Sequence, residues 1–285
     1  MSLGQITIIG VGLIGGSLGW SLKKHGSCDL VVGYGRTQES LQQALSMGVI
    51  DRAETDLAKA VQTADVVILA VPLQAMESLL VRMRPFLPDS CLLTDVGSVK
   101  VGVVDAVAKV FGEIPPTLVP AHPIAGLEKS GVTAARSDLF EEQRVILTPL
   151  PETSRVALSQ ITELWESVGA EVECMSVDDH DHALAMTSHF PHLLAFLYMQ
   201  LMGRQGGESL LPYAGSGFRD FSRIAGGHAR MWRDISLDNR ESLLPLLTAY
   251  KNQLDDLFDA LDNQQGDDLE SLFEQARDLR NQYRG

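Results

Sequence analysis

The first 176 residues alternate between short apolar runs and longer amphipathic segments. The short runs are rich in β-branched residues and have the length of buried strands, whereas the longer segments repeat apolar residues at helical spacing. Strands are predicted at residues 5–9, 30–34, 64–71, 90–96, 144–149 and 171–176, and helices at residues 13–25, 73–86 and 152–168 and in a stretch ending at Phe111. This alternation is typical of an α/β domain built on a parallel sheet.

Beyond residue 176 the strand pattern stops, and only helices are predicted. Apolar residues recur at helical spacing from His180 to Met202, along a nearly unbroken stripe from Leu243 to Leu261, and in a last helix at residues 268–283. A helical half without a sheet must bury these stripes against itself, against the first half or against a second copy. We expect two domains, residues 1–176 and 177–285, and a homodimer formed through the all-helical second domain.

A glycine-rich run, Gly10-Val11-Gly12-Leu13-Ile14-Gly15, lies between the first predicted strand and the first predicted helix. Its first glycine suits a tight turn, the second a close approach of a pyrophosphate, and the third the packing of the helix on the strand. The helix N-terminus then binds the anion. The order strand, glycines, helix predicts a Rossmann-type dinucleotide-binding domain. The predicted cofactor-binding residues here are Gly10, Gly12, Leu13, Ile14 and Gly15, with Val71 at the end of the third strand.

The end of the second predicted strand bears on the type of cofactor. A site that prefers NAD usually carries an acidic residue about 20 positions past the glycines, where it binds the ribose hydroxyls. This chain has Gly35 there, followed by Arg36 and Thr37. The missing carboxylate and the guanidinium favour NADP, because both suit a 2′-phosphate. The alternative is that Arg36 is a solvated loop residue and that NAD is used.

His122 is the first candidate for acid–base chemistry. Pro116 and Pro120 leave little chance of a helix before it, so the imidazole is expected at the end of a strand or in the loop that leaves it. Open parallel sheets bind ligands at such ends. A histidine can accept a proton near neutral pH. The alternative is a loop histidine without a chemical role.

Ser98 follows the strand at residues 90–96 within Asp95-Val96-Gly97-Ser98-Val99-Lys100. It is expected at the carboxyl end of that strand, beside the nicotinamide half of a bound cofactor and close to Lys100. The alternative is that Ser98 caps the helix that follows. The two roles are compatible.

The predicted helix from His180 to Met202 carries several polar side chains. Asp178 and Asp179 come just before it as helix openers, and Asp178, His182, His189 and Leu193 lie at offsets of 0, 4, 11 and 15, so they are expected on one face. A metal site formed by Asp178, His182, His189 and His192 has no recognised ligand spacing, and no metal is predicted.

Two arginines are candidates for binding a carboxylate. Arg219 and Arg223 are four residues apart and share a face of a predicted helix, and a guanidinium suits both oxygens of a carboxylate. The alternative is an ordinary ion pair with Asp220 or Asp234, which is favoured for Arg219. Trp232 is expected either in the core or in the wall of a pocket.

Composition excludes several classes of partner. The net charge of −14 and the pI near 4.8 argue against nucleic acid. No apolar run approaches the roughly 20 residues that cross a bilayer, and no basic and apolar leader follows Met1. Three scattered cysteines form no disulfide or metal pattern. We expect a cytoplasmic protein that acts on a small molecule, without nucleic acid or membrane.

Five motifs together resemble prephenate and arogenate dehydrogenases of tyrosine biosynthesis, over nearly the whole chain. They are Gly10–Ser17, Asp95–Lys100, His122–Gly126, Asp179-His180-Asp181 leading to Ser188-His189, and Gly217–Arg223. The resemblance implies a nucleotide-binding domain followed by a helical domain that dimerises. It implies that His122 is the catalytic histidine at the substrate hydroxyl, that Ser98 contacts this hydroxyl and the nicotinamide, and that His189 and Arg223 bind substrate. Glu128, Asp178 and Trp232 match pocket-gating or pocket-lining positions of the family.

The activity that this resemblance implies is NAD(P)-dependent oxidative decarboxylation of prephenate to 4-hydroxyphenylpyruvate, of arogenate to tyrosine, or both. We expect a single-activity chain without a fused regulatory or chorismate mutase segment. One alternative is another NADP-dependent enzyme with a helical second domain, such as a β-hydroxyacid dehydrogenase or an imine reductase. The β-hydroxyacid enzymes use a lysine on the first helix of the second domain, and residues 178–202 contain none. A second alternative is a non-catalytic nucleotide-sensing module.

Overall fold

The structure is a computed structural model that describes residues 3–127 and 129–283. The chain forms two compact units, of which the first extends to Asn239 and the second begins at Arg240. No helix in the described ranges is both long enough and apolar enough to cross a membrane.

A five-stranded parallel sheet forms the centre of the first unit. Its strands lie in the order β3-β2-β1-β4-β5, which is the order of the first five strands of the six-stranded Rossmann sheet. The strands are β1 (Leu3–Ile9), β2 (Cys28–Tyr34), β3 (Arg52–Glu54), β4 (Val66–Leu69) and β5 (Leu92–Asp95). The helices between and after them are α1 (Leu13–His25), α2 (Gln38–Ser46), α3 (Leu57–Val61), α4 (Leu73–Met83) and α5 (Val101–Phe111). The point where strand order reverses lies between β1 and β4.

Apolar residues on both faces of the sheet explain why these strands read as continuous hydrophobic runs. Ile8 belongs to a core cluster on one face, with residues of α1 and α2, and the adjacent Ile9 belongs to a second cluster on the other face, with residues of α3, α4 and α5. Both side chains are fully buried. The sheet is therefore a covered layer, and its carboxyl edge is the part left for a ligand.

A second, three-stranded sheet continues the first unit. Its strands are β6 (Ala121–Pro123), β7 (Arg144–Leu147) and β8 (Glu171–Cys174), with β6 antiparallel and β8 parallel to β7. Helix α6 (Arg155–Glu166) is capped by Ser154, whose hydroxyl accepts from the Ala157 N–H at 3.1 Å. A bridge between Leu93 and Leu118 brings the chain that enters β6 beside β5.

Helices form the rest of the first unit. They are α7 (Val177–Leu184), a π-helical turn (Ala185–His189), α8 (Phe190–Arg204), α9 (Gly207–Leu210), α10 (Ser216–Arg223) and α11 (Ala229–Asp238). The π turn precedes Pro191, which has no N–H to donate to the carbonyl of Thr187 in an α-helical pattern.

The π turn changes which residues share a face. His189 is buried, together with His180 and Asp181, whereas Asp178 and His182 are exposed. The prediction of a common face for Asp178, His182 and His189 was therefore wrong, because the count assumed uninterrupted α-helical spacing.

The second unit consists of two helices, α12 (Arg240–Asp262) and α13 (Gly266–Gln282). The bounds of these helices agree closely with those predicted, residues 243–261 and 268–283. Many of their large apolar side chains are exposed, among them Leu244, Leu254, Phe258, Leu261, Leu272, Phe273 and Leu279.

Candidate functional site

The glycine turn after β1 has a different requirement at each glycine. Gly10 has a φ of +102°, and a Cβ there would lie 2.4 Å from the Ala70 carbonyl oxygen. A Cβ at Gly15 would lie 2.3 Å from the Gly10 carbonyl oxygen, so α1 packs directly on the turn. A Cβ at Gly12 would meet no atom within 4 Å. The first and third glycines are therefore required by packing, and the second leaves a cradle for an incoming group.

The start of α1 fits an anionic group. Gly12 is the N-cap, and in the described parts of the chain no side chain caps this helix and no acidic residue lies in its first turn. The first N–H groups of a helix, here those that begin at Leu13 and Ile14, then remain for an anion, and the helix dipole favours it. The residues present therefore fit the pyrophosphate of a dinucleotide.

Other predicted cofactor residues border this turn. Val71 follows β4, and its Cγ1 lies 2.8 Å from the position of a Cβ on Gly10. Arg36 and Thr37 follow β2 and are exposed. The Gly10 N–H donates to the Tyr34 carbonyl at 2.9 Å, which holds the end of β2 against the glycine turn. All of them lie at the carboxyl ends of parallel strands.

Ser98 is half-buried in the loop between β5 and α5. The N-cap of α5 is Lys100, and no side chain of its own loop caps the helix. The Asp181 carboxylate accepts instead from the N–H groups of Lys100 and Val101, at 2.8 and 2.9 Å. The alternative that Ser98 caps the helix was therefore wrong.

His122 lies in β6 and is 9% exposed. Its Nδ1 is 2.8 Å from Nε2 of His180, and Nδ1 of His180 is 2.7 Å from Oδ1 of Asp181. A buried chain of hydrogen bonds thus joins His122 to the carboxylate that caps α5.

A buried ion pair fixes β6 against β5. Lys100 is fully buried, and its ammonium pairs with the Asp95 carboxylate and donates to the Ala121 carbonyl at 2.7 Å. Asp95 accepts in turn from the Ala121 N–H at 3.1 Å and the Gly97 N–H at 2.7 Å. These contacts place His122 next to the carboxyl end of β5.

The environment of His122 favours its neutral form. Burial lowers the pKa of His122 well below the usual value of 6.5, and the positive charge of Lys100 and the neighbouring His180 and His189 lower it further. The imidazole is therefore uncharged at neutral pH and can accept a proton.

His189 lies in the same cluster. It is 1% exposed, and its Nδ1 is 3.0 Å from Nδ2 of Asn239, which also donates to the Asp181 main-chain carbonyl at 2.8 Å. Burial, above all, lowers the pKa of His189 to about 4. The half-buried Trp232 lies edge-on to His189, with ring centroids 6.3 Å apart, and stacks on His192 at 3.6 Å.

The remaining predicted residues lie further out. Arg223 is exposed at the end of α10. Burial of His192 is the main cause of its lowered pKa, and the positive charge of Arg223 lowers this pKa further. Asp178 is exposed in the first turn of α7. Glu128 lies outside the described residues.

The ion pair of Arg219 with Asp220 or Asp234, the favoured alternative for that residue, is not formed among the described residues. Arg219 is exposed, and Asp234 forms its ion pair with Arg233. Residues 3–127 and 129–283 contain no group of three or more metal-binding side chains.

Sequence reasoning assigned no role to His180, Asp181 or Asn239. His180 and Asp181 are adjacent within one of the quoted motifs, but they lie among five consecutive polar residues of α7, Asp178 to His182, so the helix pattern did not single them out. Nothing in the sequence pattern indicated Asn239, which lies 50 residues from its partner His189.

Comparison with known proteins shows the family of the chain. Residues 18–174 match a family described as "Prephenate dehydrogenase, nucleotide-binding domain", and residues 176–275 match one described as "Prephenate dehydrogenase, dimerization domain". A cyclohexadienyl dehydrogenase of Zymomonas mobilis is 36% identical over 284 residues, which cover 97% of this chain and 94% of that protein.

Solved structures give the same result. A prephenate dehydrogenase of Aquifex aeolicus, in complex with hydroxyphenyl propionate and NAD+, superposes with a TM-score of 0.91 at 33% identity and covers 98% of both chains. An arogenate dehydrogenase of Synechocystis superposes with a TM-score of 0.83 at 29% identity and covers 98% of this chain and 99% of its own.

The fold and the site define an NAD(P)-dependent dehydrogenase with a Rossmann-type domain followed by a helical domain. The chain belongs to the prephenate dehydrogenase family.

Proposed function

We propose that the protein catalyses the NAD(P)-dependent oxidative decarboxylation of prephenate to 4-hydroxyphenylpyruvate, of arogenate to tyrosine, or of both. The observation that carries the proposal is the buried, neutral His122, which lies beside the carboxyl end of β5 and is hydrogen-bonded to His180. Membership of the family supplies the substrate class.

The chemistry needs a base and an aligned substrate. The substrate ring bears a hydroxyl on one carbon and a carboxylate on the opposite carbon. His122 takes the hydroxyl proton as hydride leaves the same carbon, and loss of the carboxylate as CO2 makes the ring aromatic and leaves the oxygen as an anion. His122 then returns the proton to that oxygen, so no net proton is lost. A bound nicotinamide supplies the hydride acceptor.

Other side chains are assigned to binding. We propose that Ser98 contacts the substrate hydroxyl and the nicotinamide, and that His189 and Arg223 bind the substrate. Trp232 forms part of the pocket wall, which its contacts with His189 and His192 support. We propose that Asp178 and Glu128 gate or line the pocket, as the resemblance implies.

We propose that NADP is preferred over NAD. No carboxylate follows β2, where an acidic side chain would bind the ribose hydroxyls. The exposed Arg36 and Thr37 follow Gly35, close to the glycine turn, and suit a 2′-phosphate.

We also propose that the functional domains are residues 1–176 and 177–285 and that the protein is a homodimer through the second. The last strand ends at Cys174, and every later element is helical in residues 177–283. The exposed apolar side chains of α12 and α13 support an interface with a second copy.

A steady-state assay tests the activity. Purified protein is mixed with each of prephenate and arogenate, and with each of NADP and NAD, while reduced cofactor is followed by absorbance at the nicotinamide band. Turnover with at least one substrate is expected, with higher kcat/KM for NADP. The absence of turnover in all four combinations would contradict the activity, and a higher kcat/KM for NAD would contradict the cofactor preference alone.

A further inference from the structure

Asp181 lies at the centre of the polar cluster, and both its carboxylate and its main-chain carbonyl accept hydrogen bonds. Its carboxylate accepts from the N–H groups of Lys100 and Val101 and lies 2.7 Å from Nδ1 of His180. Its main-chain carbonyl accepts from Asn239. The residue is 2% exposed, so water does not satisfy these groups in its place.

The direction of the first hydrogen bond follows from the carboxylate. An ionised carboxylate at a helix N-terminus only accepts, so Nδ1 of His180 must carry the proton in the bond to Asp181. With this one ring proton, His180 has a lone pair on Nε2. The partner 2.8 Å away, Nδ1 of His122, must therefore be the donor, which leaves the lone pair of His122 on Nε2.

The direction of the second bond follows from the amide. A main-chain carbonyl only accepts, so the Asn239 atom that faces the Asp181 carbonyl is the nitrogen. The same nitrogen lies 3.0 Å from Nδ1 of His189 and donates its second proton to it. Neutral His189 therefore carries its own proton on Nε2.

We infer that Asp181 fixes the two imidazoles of the site in opposite tautomers, with His122 an acceptor at Nε2 through His180 and His189 a donor at Nε2 through Asn239. Asp181, His180 and Asn239 act as positioning residues. The inference deepens the proposed function, because it rests on His122 being the base.

This arrangement has two chemical consequences. A protonated His122 keeps its Nδ1–H bond to His180, so its positive charge is stabilised along the chain to Asp181, as in a triad. His189 presents a donor, which suits a carboxylate or carbonyl oxygen of the substrate. The ammonium of Lys100 also opposes a positive charge on His122, and the carboxylate of Asp181 offsets this repulsion.

Tautomers can be measured without turnover. The full chain, with 15N-labelled histidine rings, is recorded near pH 7.5 by long-range proton–nitrogen correlation, and signals are assigned by their loss in His122→Asn and His189→Asn. Protonated nitrogens are expected at Nδ1 of His122 and at Nε2 of His189. A proton on Nε2 of His122, which a charged His180 would produce, or on Nδ1 of His189, would overturn the inference even if prephenate is oxidised.

Substitution of His180 tests whether this residue positions His122 or only supports the fold. His180→Leu is expected to lower kcat by roughly 10- to 100-fold, part of the usual contribution of a general base, with the KM for substrate and the cofactor affinity unchanged. His180→Gln should recover activity to within about threefold of wild type, because its amide can donate to Asp181 and accept from His122.

The exposed His182 on the same helix provides the control, since His182→Gln should leave kcat unchanged. An unchanged kcat in a folded His180→Leu variant would contradict the inference, as would a His180→Gln variant no better than it. Lack of turnover in the wild-type protein would contradict the proposed function instead, and the NMR measurement would still decide the tautomers.

Discussion

At the level of single residues, the proposed chemistry depends on one uncharged imidazole. We predict that His122→Asn lowers kcat by roughly 10²- to 10⁴-fold, because it removes the base. Cofactor affinity should be kept, since the glycine turn is intact. Stopped assays measure kcat, and quenching of tryptophan fluorescence measures cofactor binding. His25→Asn, at the end of α1, is the control. Turnover equal to wild type would remove His122 from this role.

The pH dependence of kcat/KM should report the pKa of the same residue, His122. A base acts when unprotonated, and burial and the charge of Lys100 lower the pKa of His122 well below 6.5. Protonation therefore begins only at lower pH. We predict that kcat/KM, measured at saturating cofactor, stays level from pH 8 to below pH 6.5 and then falls. An acid limb centred at or above 6.5 would show that the group being titrated is not the buried His122.

Arg223 should affect binding more than chemistry. We predict that Arg223→Ala raises the substrate KM by about 10-fold or more with a smaller change in kcat, because a lost charged contact to a carboxylate costs about 1.5–3 kcal/mol. Arg219→Ala, one turn away and also exposed, is the matched control. A lowered melting temperature with unchanged KM would mean that Arg223 is structural.

At the level of elements, different glycines of the glycine turn serve packing and cofactor binding. We predict that Gly12→Ala keeps the melting temperature but raises the Kd for NADPH about 10-fold or more, since the methyl group enters the open cradle and a loss of 1.4 kcal/mol is tenfold.

Gly10→Ala is the counterpart. It should destabilise the fold by about 1–3 kcal/mol or more, because φ is +102° and the Ala70 carbonyl blocks the Cβ. Thermal unfolding and cofactor titration measure both variants. Equal loss of stability in the two would contradict the division of roles.

The elements also explain how far sequence could predict the site. The glycine turn and the helices after residue 176 follow local rules of spacing and punctuation, and the structure contains them. His122 was expected at the end of a strand or in the loop that leaves it, and it lies instead within the short strand β6. The cap of α5 does not follow such a rule, because it comes from Asp181, 81 residues away. The π turn before Pro191 shifted the helical count, so His189 lies with His180 and Asp181 and away from Asp178.

At the level of the whole molecule, the position of the site follows from chain order. Parallel strands place the glycine turn, Val71 and Ser98 at one edge, because all their loops leave at carboxyl ends. The helical region then adds His180, Asp181 and His189 through the cap of α5. Local sequence thus builds the dinucleotide site, whereas the hydrogen-bond partners of the proposed general base, His122, come from helices that are distant in the chain.

The exposed apolar face of α12 yields the last prediction. Leu254, Phe258 and Leu261 lie at offsets of 0, 4 and 7, so they share a face, and they are 48%, 66% and 59% exposed. Such a face on a chain with net charge −14 is typical of an interface with a second copy. We predict that wild-type protein sediments as a dimer at micromolar concentration and that Phe258→Glu combined with Leu261→Glu sediments as a monomer. Val156→Glu, a change at an equally exposed apolar residue of α6, should leave the dimer intact. A monomeric wild type would contradict the homodimer, and a dimeric double variant would place the interface elsewhere.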